Sequence, residues 1–353
     1  MGITARLAVL PPGRKELELE TVDLPEPGPW EVVIEQQAFG ICHSQLDLID
    51  NPSRAEPLVI GHESAGVVVA TGENVTHVQP GDDVLLTWLP RDPSASRAPG
   101  ASRIPLRDGR VAVTHNVFAW GTHAVVDEQY VVTAPAGLSP DLTSIIGCAV
   151  MTGAGSVLNA AGDVSGRSVA VWGLGGVGLA ALSGAHALGA SSLIAVDIHD
   201  EKLEVARSMG ATHVVNARTD DPEAVIRQLT GGPGVDVGFD CTGIGENLAR
   251  SLGAVRAGVA GRGAGGTLVL VGAPRAPFSF NGMQLLSTSK TLIGALGGLC
   301  SPDRDFPVFA EWANRGDLRL DELVTNRYSL SELDEGIQDL RAGRVVGRAV
   351  VVL

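Results

Sequence analysis

Cysteine is scarce in this 353-residue chain. Four residues, Cys42, Cys148, Cys241 and Cys300, are too few to frame a fold of this length with disulfides. Metal binding or catalysis is the better reading for any that sit in a motif. Basic residues are also in deficit, 26 Lys and Arg against 40 Asp and Glu, and they form no long cluster. That excludes nucleic acid and anionic membrane as main partners. The start, Met1-Gly2-Ile3-Thr4-Ala5-Arg6, has no continuous apolar segment of the signal-peptide kind, and Arg6 stands where a myristoylation motif wants Ser or Thr. The longest apolar stretch, 169–182, is broken by four glycines and reads as strand, turn and helix rather than membrane span. A soluble, cytoplasmic protein is expected.

Glycine, by contrast, is abundant, with 45 residues spread without a collagen-like period. Tight turns and close backbone approaches are therefore expected, in a chain long enough for two domains. From Leu7 to about Val132, short β-type runs alternate with Gly and Pro. The runs are 31–35 after Pro27-Gly28-Pro29, 65–70 before Gly72-Glu73-Asn74, and 84–86 after Pro80-Gly81-Asp82-Asp83. This spacing predicts a compact antiparallel, barrel-like domain. After about Gly147 the rhythm changes to a strand at 168–172, a glycine-rich turn, a helix to about Leu188, a strand at 192–197 and a helix ending at Gly210. Strands follow at 212–215, 235–239, 267–271 and 291–294, and the tail mixes helical stretches with a last strand at 348–353. Strands alternating with helices predict a doubly wound parallel sheet. The expected fold class is α/β, with a catalytic domain of residues 1–149 and 297–353 and a dinucleotide-binding domain of residues 150–296.

Gly173-Leu174-Gly175-Gly176-Val177-Gly178 fits G-x-G-x-x-G. The pattern alone is weak, but here it follows a strand, opens a helix, and precedes Asp197, which closes the next strand 19 residues after Gly178. That context is the dinucleotide fingerprint. The glycines let the backbone approach a pyrophosphate, whose charge is met by the helix N-terminus. Asp197 can accept from both adenosine ribose hydroxyls and would repel a 2′-phosphate, so NAD is expected over NADP. A packing loop of another α/β fold is the plain alternative.

Three further segments, Gly40-Ile41-Cys42-His43-Ser44, Gly61-His62-Glu63 and Gly147-Cys148, resemble the catalytic-zinc segments of the zinc-dependent medium-chain alcohol dehydrogenases. The resemblance runs over nearly the whole chain, from Pro27-Gly28 to the last strand, with Pro80-Gly81-Asp82-Asp83-Val84 and 173–178 in family order. It implies a GroES-like catalytic domain beside a Rossmann domain. It also implies one catalytic zinc held by Cys42, His62 and Cys148 with an open fourth position, a known kind of site. Zinc would act as a Lewis acid on the substrate oxygen, and hydride would pass to NAD. Glu63 matches a carboxylate close behind the metal, able to approach it when a ligand exchanges. Taken singly, a buried Cys is more often a small hydrophobe, the reading for Cys241 and Cys300, and His62 alone is compatible with a core histidine.

By the same resemblance Ser44 takes the substrate's proton, and His43 faces the cofactor pyrophosphate. Thr152 lies near the nicotinamide, Lys202 near the adenosine ribose and Arg348 near the pyrophosphate. For Lys202 and Arg348, a solvated surface charge is the alternative. Val271 and the backbone around Ala295 and Leu296 match a segment facing the nicotinamide carboxamide, with Leu296 also placed toward substrate. The implied partners are a small alcohol or aldehyde and further copies of the chain, as homodimer or homotetramer.

The chain departs from that pattern in four places. Many relatives carry four closely spaced cysteines around a structural zinc, whereas no cysteine lies between Cys42 and Cys148 here. The corresponding region, 90–110, holds Arg91, Arg97, Arg103, Arg107 and Arg110 instead, read as a contact for a neighbouring subunit or as a solvated loop. Gln45 replaces an Asp that orients the metal-bound imidazole, and its carbonyl is expected to accept the ring N–H without a charge. Asp47 stands where a His completes the proton relay; a carboxylate also carries protons, with a changed pH dependence. Trp88 and Trp120 fall where large side chains line the substrate cleft, suiting slender primary alcohols or planar aromatic and allylic ones. Ordinary core is the alternative for both. A polyol or secondary-alcohol dehydrogenase is the nearest rival reading. A zinc-free quinone or enoyl reductase and a non-catalytic nucleotide-binding protein stand further off.

Overall fold

The computed structural model describes residues 2–51, 53–259 and 263–353. Two compact units emerge. Met1–Cys148, Ser301–Ala310 and Val324–Leu353 form the first, and Ala149–Cys300 with Glu311–Leu323 the second. The sequence pattern put all of 297–353 in the first unit; 297–300 and Glu311–Leu323 belong to the second instead. The reason is local bonding. Ser183 donates to the carbonyl of Asp317 at 3.4 Å, and the N–H of Arg319 donates back to Ser183 at 3.4 Å.

The barrel-like first unit is built from a five-stranded and a seven-stranded sheet. Its spine is the strand Glu31–Ile41, which pairs antiparallel with Ser64–Thr71, with His123–Asp127 and with Arg348–Val352. The predicted run at 31–35 was cut short because Gln36-Gln37 interrupts the apolar pattern. The chain passes that point through an irregularity between Gln36 and Ala38, as a β-bulge does, and pairing resumes. Register then does the positioning. Phe39 lies opposite Ser64, and Ile41 opposite Ala349. Cys42, Glu63 and Arg348 are each the next residue beyond a paired position, so three strand ends converge on one spot. Beneath it, Phe39, Ile41, Leu46, Ile49, Trp120 and Ile337 form an apolar cluster.

The second unit holds six parallel strands, Ser168–Trp172, Ser192–Asp197, His213–Asn216, Val237–Asp240, Thr267–Leu270 and Thr291–Gly294. Their spatial order is third, second, first, fourth, fifth, sixth, the Rossmann arrangement. The order reverses between the first and fourth strands, and ligands in such sheets bind beyond the carboxyl ends of the strands at that point. The glycine-rich turn leaves the first strand there. Pro140–Ala160 is apolar and long enough to cross a membrane, yet 78% of its most apolar window is buried inside the protein.

Candidate metal and dinucleotide sites

Cys42 closes the spine strand in extended backbone (φ −109°, ψ 146°) and opens the helix His43–Asp50. His62 follows Gly61, whose φ of +98° and closeness to Trp120 exclude a side chain: a Cβ there would meet Trp120 Cδ1 at 2.5 Å. Cys148 sits in Ile146–Val150, a wide i→i+5 turn leading into the helix Met151–Ala160. Such turns shift side chains off the regular helical progression and cluster at functional sites. Together the three put their donor atoms within 4.8 Å of one another, the one such group among the described residues.

The set fits zinc. The two Sγ atoms are 3.9 Å apart, against about 3.8 Å for two zinc–sulfur bonds of ~2.3 Å at the tetrahedral angle. His62 Nε2 is buried and has no hydrogen-bond partner. Such an orphan is rare without a missing partner, and a metal would supply one. The contact with Cys148 and the nearby Arg348 guanidinium hold the Cys42 thiol well below the usual range despite burial, and the same contact pushes Cys148 up. Glu63 is fully buried directly behind, and Arg348 Nη2 donates to its Oε1. Burial pushes the Glu63 carboxyl up, with Arg348 opposing. Glu63 is not one of the three clustered donors, and its Oε2 is left without a partner.

The glycine turn enters the helix Gly176–Ala187 at its N-terminus. A Cβ at Gly178 would stand 1.8 Å from the carbonyl of Gly173, so only glycine permits this helix to pack against its own entry strand. At Gly175 a Cβ would meet nothing within 4 Å, which leaves that backbone open to a pyrophosphate. Asp197 ends its strand with Oδ2 accepting from Leu174 N–H at 2.7 Å, and Oδ1 from Ile198 and His199 N–H at 2.7 and 3.0 Å. It therefore ties the glycine turn to the next loop, a duty that its place in the motif does not announce.

Residues 28–136 match the alcohol dehydrogenase GroES-like domain model, and residues 176–315 match the zinc-binding dehydrogenase model. The chain is 33% identical to the NDMA-dependent alcohol dehydrogenase of Amycolatopsis methanolica, over 98% of each chain. It is 32% identical to the geraniol dehydrogenase of Castellaniella defragrans, over 99% of this chain and 98% of the other. Among solved structures, benzyl alcohol dehydrogenase of Acinetobacter calcoaceticus superposes with a TM-score of 0.86 at 30% identity, covering 99% of each chain. The chain belongs to the zinc-dependent medium-chain alcohol dehydrogenases.

In this dehydrogenase the helix His43–Asp50 presents His43, Ser44 and Asp47 on its exposed side, and Ser44 Oγ donates to Cys42 Sγ at 3.4 Å. Ser44 and Asp47 are three residues apart, hence neighbours on one helix face. Trp88 stands beside the metal ligands, its ring 6.5 Å from that of His62 and edge-on. Thr152 lies half-buried on the helix Met151–Ala160, and Lys202 on the first turn of Asp200–Ser208. The N–H of Val271 donates to Asp240 O at 2.9 Å and that of Ala295 to Leu270 O at 3.0 Å, which places both just past strand ends. Leu296 projects from the surface of its unit, 76% exposed.

Several expectations are corrected. Trp120 is not a cleft residue: it is fully buried against Phe39, and its Nε1 donates to Gly40 O at 3.0 Å. For Arg348 it is the alternative reading, a solvated surface charge, that fails: the side chain is buried and paired with Glu63. Gln45 does approach His62, but with its amide nitrogen 2.6 Å from Nδ1 and its Oε1 taken by Gly61 N–H at 2.8 Å, so the N–H that a metal-bound imidazole would present at Nδ1 finds no acceptor in Gln45. The five arginines of 90–110 each pair with an acid of their own chain. Arg103, Arg107 and Arg110 are surface pairs of small individual weight. Arg91 and Arg97 reach the buried carboxylates Asp127 and Glu128, which sequence reasoning missed because nothing local links positions thirty residues apart. Cys241 is a half-buried thiol whose ionisation is pushed up by its desolvated surroundings, and Cys300 donates to Met151 O at 3.4 Å.

Proposed function

We propose that this dehydrogenase oxidises a primary alcohol, aliphatic or aromatic/allylic, to its aldehyde with NAD as hydride acceptor, and catalyses the reverse reduction. The observation that carries this reading is the Cys42–His62–Cys148 donor set with the exposed Ser44 hydroxyl beside it. One zinc there supplies Lewis-acid polarisation of the substrate oxygen, and NAD on the glycine turn supplies the hydride acceptor. Ser44 Oγ takes the substrate hydroxyl proton and hands it toward Asp47 on the same helix face. Arg348 neutralises Glu63, so the two thiol ligands do not face a buried uncompensated carboxylate. Trp88 supplies an aromatic wall. That wall supports flat or slender substrates over polyols, whose hydroxyls need polar partners. The relatives named for geraniol and benzyl alcohol, an allylic and a benzylic alcohol, agree with this choice. We place the enzyme in the cytoplasm as a homodimer or homotetramer. Met283, Leu286 and Leu296, exposed by 56%, 75% and 76%, support a second copy covering that surface.

The test is a rate survey with NAD over aliphatic, benzylic, allylic and polyol substrates, with zinc measured on the same sample. Primary, allylic or benzylic alcohols are expected to lead; a polyol leading would overturn the substrate assignment. About one zinc per chain is expected from the single donor set, and two tightly held zincs would show that a second site exists. Asp197→Ala is expected to weaken discrimination against NADP by removing the like charge, and to raise the KM for NAD because the glycine turn loses its anchor. Wild-type protein using NADP as readily as NAD would refute the role given to Asp197.

A further inference from the structure

Trp88 rides on a short segment fixed at both ends. At the near end Thr87 is fully buried. Its N–H donates to Tyr130 O at 3.0 Å, and its Oγ1 to the carbonyl of Gly147, next to the ligand Cys148, at 2.8 Å. At the far end the N–H of Arg91 donates to Gln129 O at 2.6 Å. The Arg91 side chain, only 20% exposed, bridges two acids, Nε to Glu128 Oε2 at 3.1 Å and Nη1 to Asp303 Oδ2 at 2.6 Å. Between these anchors, Asn116 Nδ2 donates to the Trp88 carbonyl at 3.1 Å. Glu128 is itself held by Gln129 Nε2 at 2.6 Å, and Asp303 lies in the first turn of the helix Pro302–Asn314. The bridge therefore joins the Trp88 segment to two separate elements of its unit.

We propose that Arg91 is a positioning residue for substrate choice: by bridging Glu128 and Asp303 it fixes the backbone that holds Trp88 edge-on to His62. The inference rests on the reading of Trp88 as a wall of the alcohol site. An ion pair between exposed groups contributes little, but this one has a buried carboxylate at one end and two donors of one rigid fork engaged at once. Lysine has three donors on one flexible nitrogen in place of the rigid fork, so it is expected to hold the two acids less firmly. The neighbouring Arg97 supplies the comparison. It holds Asp127 through two nitrogens at 2.6 and 2.7 Å, reaches Glu128 Oε1 only at 3.5 Å and lies 4.8 Å over the Trp30 ring, so it shares one acid with the bridge but bonds neither Asp303 nor the Trp88 segment.

The experiment compares wild type, Arg91→Gln, Arg91→Lys and Arg97→Gln as full-length, zinc-loaded enzyme with NAD, using benzyl alcohol and ethanol. In Arg91→Gln the KM for benzyl alcohol is expected to rise about tenfold, while its kcat, the KM for ethanol and the zinc content stay within about twofold, since small misplacements of a binding wall act on the substrate that touches it. Arg91→Lys should fall between, and Arg97→Gln should lower Tm without moving the KM ratio. Should Arg91→Gln not fold, Asp303→Asn opens the bridge from its more exposed side and should move the ratio in the same direction. A second readout needs no turnover. The fluorescence anisotropy due to Trp88, taken as the difference from a matching Trp88→Phe protein, should drop in Arg91→Gln and not in Arg97→Gln. An unchanged KM ratio with unchanged anisotropy, or equal shifts in Arg91→Gln and Arg97→Gln, would overturn the proposal. A wild-type protein that oxidises no alcohol would instead defeat the proposed function, and the anisotropy would still decide the role of Arg91.

Discussion

Cys148→Ala is expected to cost at least about a thousandfold in alcohol turnover, the several kcal/mol that a Lewis acid contributes, and to strip the protein of most of its zinc. The same variant should bind NAD within about twofold of wild type. The separation follows from the architecture. Cys148 ends the first compact unit, whereas the glycine turn and Asp197 belong wholly to the second. Loss of one thiolate leaves two donors, too few for a stable tetrahedral site with an open position. Cys42→Ala should behave alike, with an added effect, because Cys42 is also the acceptor for Ser44 Oγ. Metal analysis, steady-state rates and NAD titration on one preparation provide the check. Full zinc content with wild-type turnover in either variant would remove the metal site from these residues.

Ser44→Ala is expected to lower turnover by at least about a hundredfold, the lower range for an acid–base step, with zinc content preserved. Asp47→Asn should give a smaller loss that varies with pH, and Asp47→His should stay active with a displaced pH profile, since imidazole titrates nearer neutrality than a carboxylate. The geometry behind this is the single helix face shared by Ser44 and Asp47, three residues apart and both exposed. An Asp47→Asn enzyme indistinguishable from wild type at every pH would redirect the relay, with the adjacent His43 the next group to test.

The parts that could be read ahead are those written locally. The glycine turn, the acidic strand end and the Cys–His–Cys segments each declare their chemistry within a few residues. The strands at 168–172 and 192–197 fall where their buried apolar runs place them, and the strand at 291–294 follows its half-buried Leu292-Ile293 pair. What escaped depends on partners remote in sequence. Nothing around Trp120 distinguishes a cleft indole from one whose N–H is satisfied by Gly40, eighty residues earlier. Gln45 was recognised as an unusual neighbour for His62, but its orientation is set by Gly61 N–H, a third party. Arg91 and Arg97 do not show their roles locally because their carboxylate partners, Asp127, Glu128 and Asp303, lie on other elements.

The pairing of Glu63 with Arg348 spans 285 residues. A nascent chain that has already made Cys42, His62 and Cys148 still carries a buried acid with no counter-charge until the strand Arg348–Val352 is threaded beside Glu31–Ile41. An uncompensated buried carboxylate of this kind costs about 3–5 kcal/mol, enough to keep the three donors from settling early. The closed thiol pocket thus draws its counter-charge from a strand far along the sequence, and its completion is expected to need that strand paired beside Glu31–Ile41.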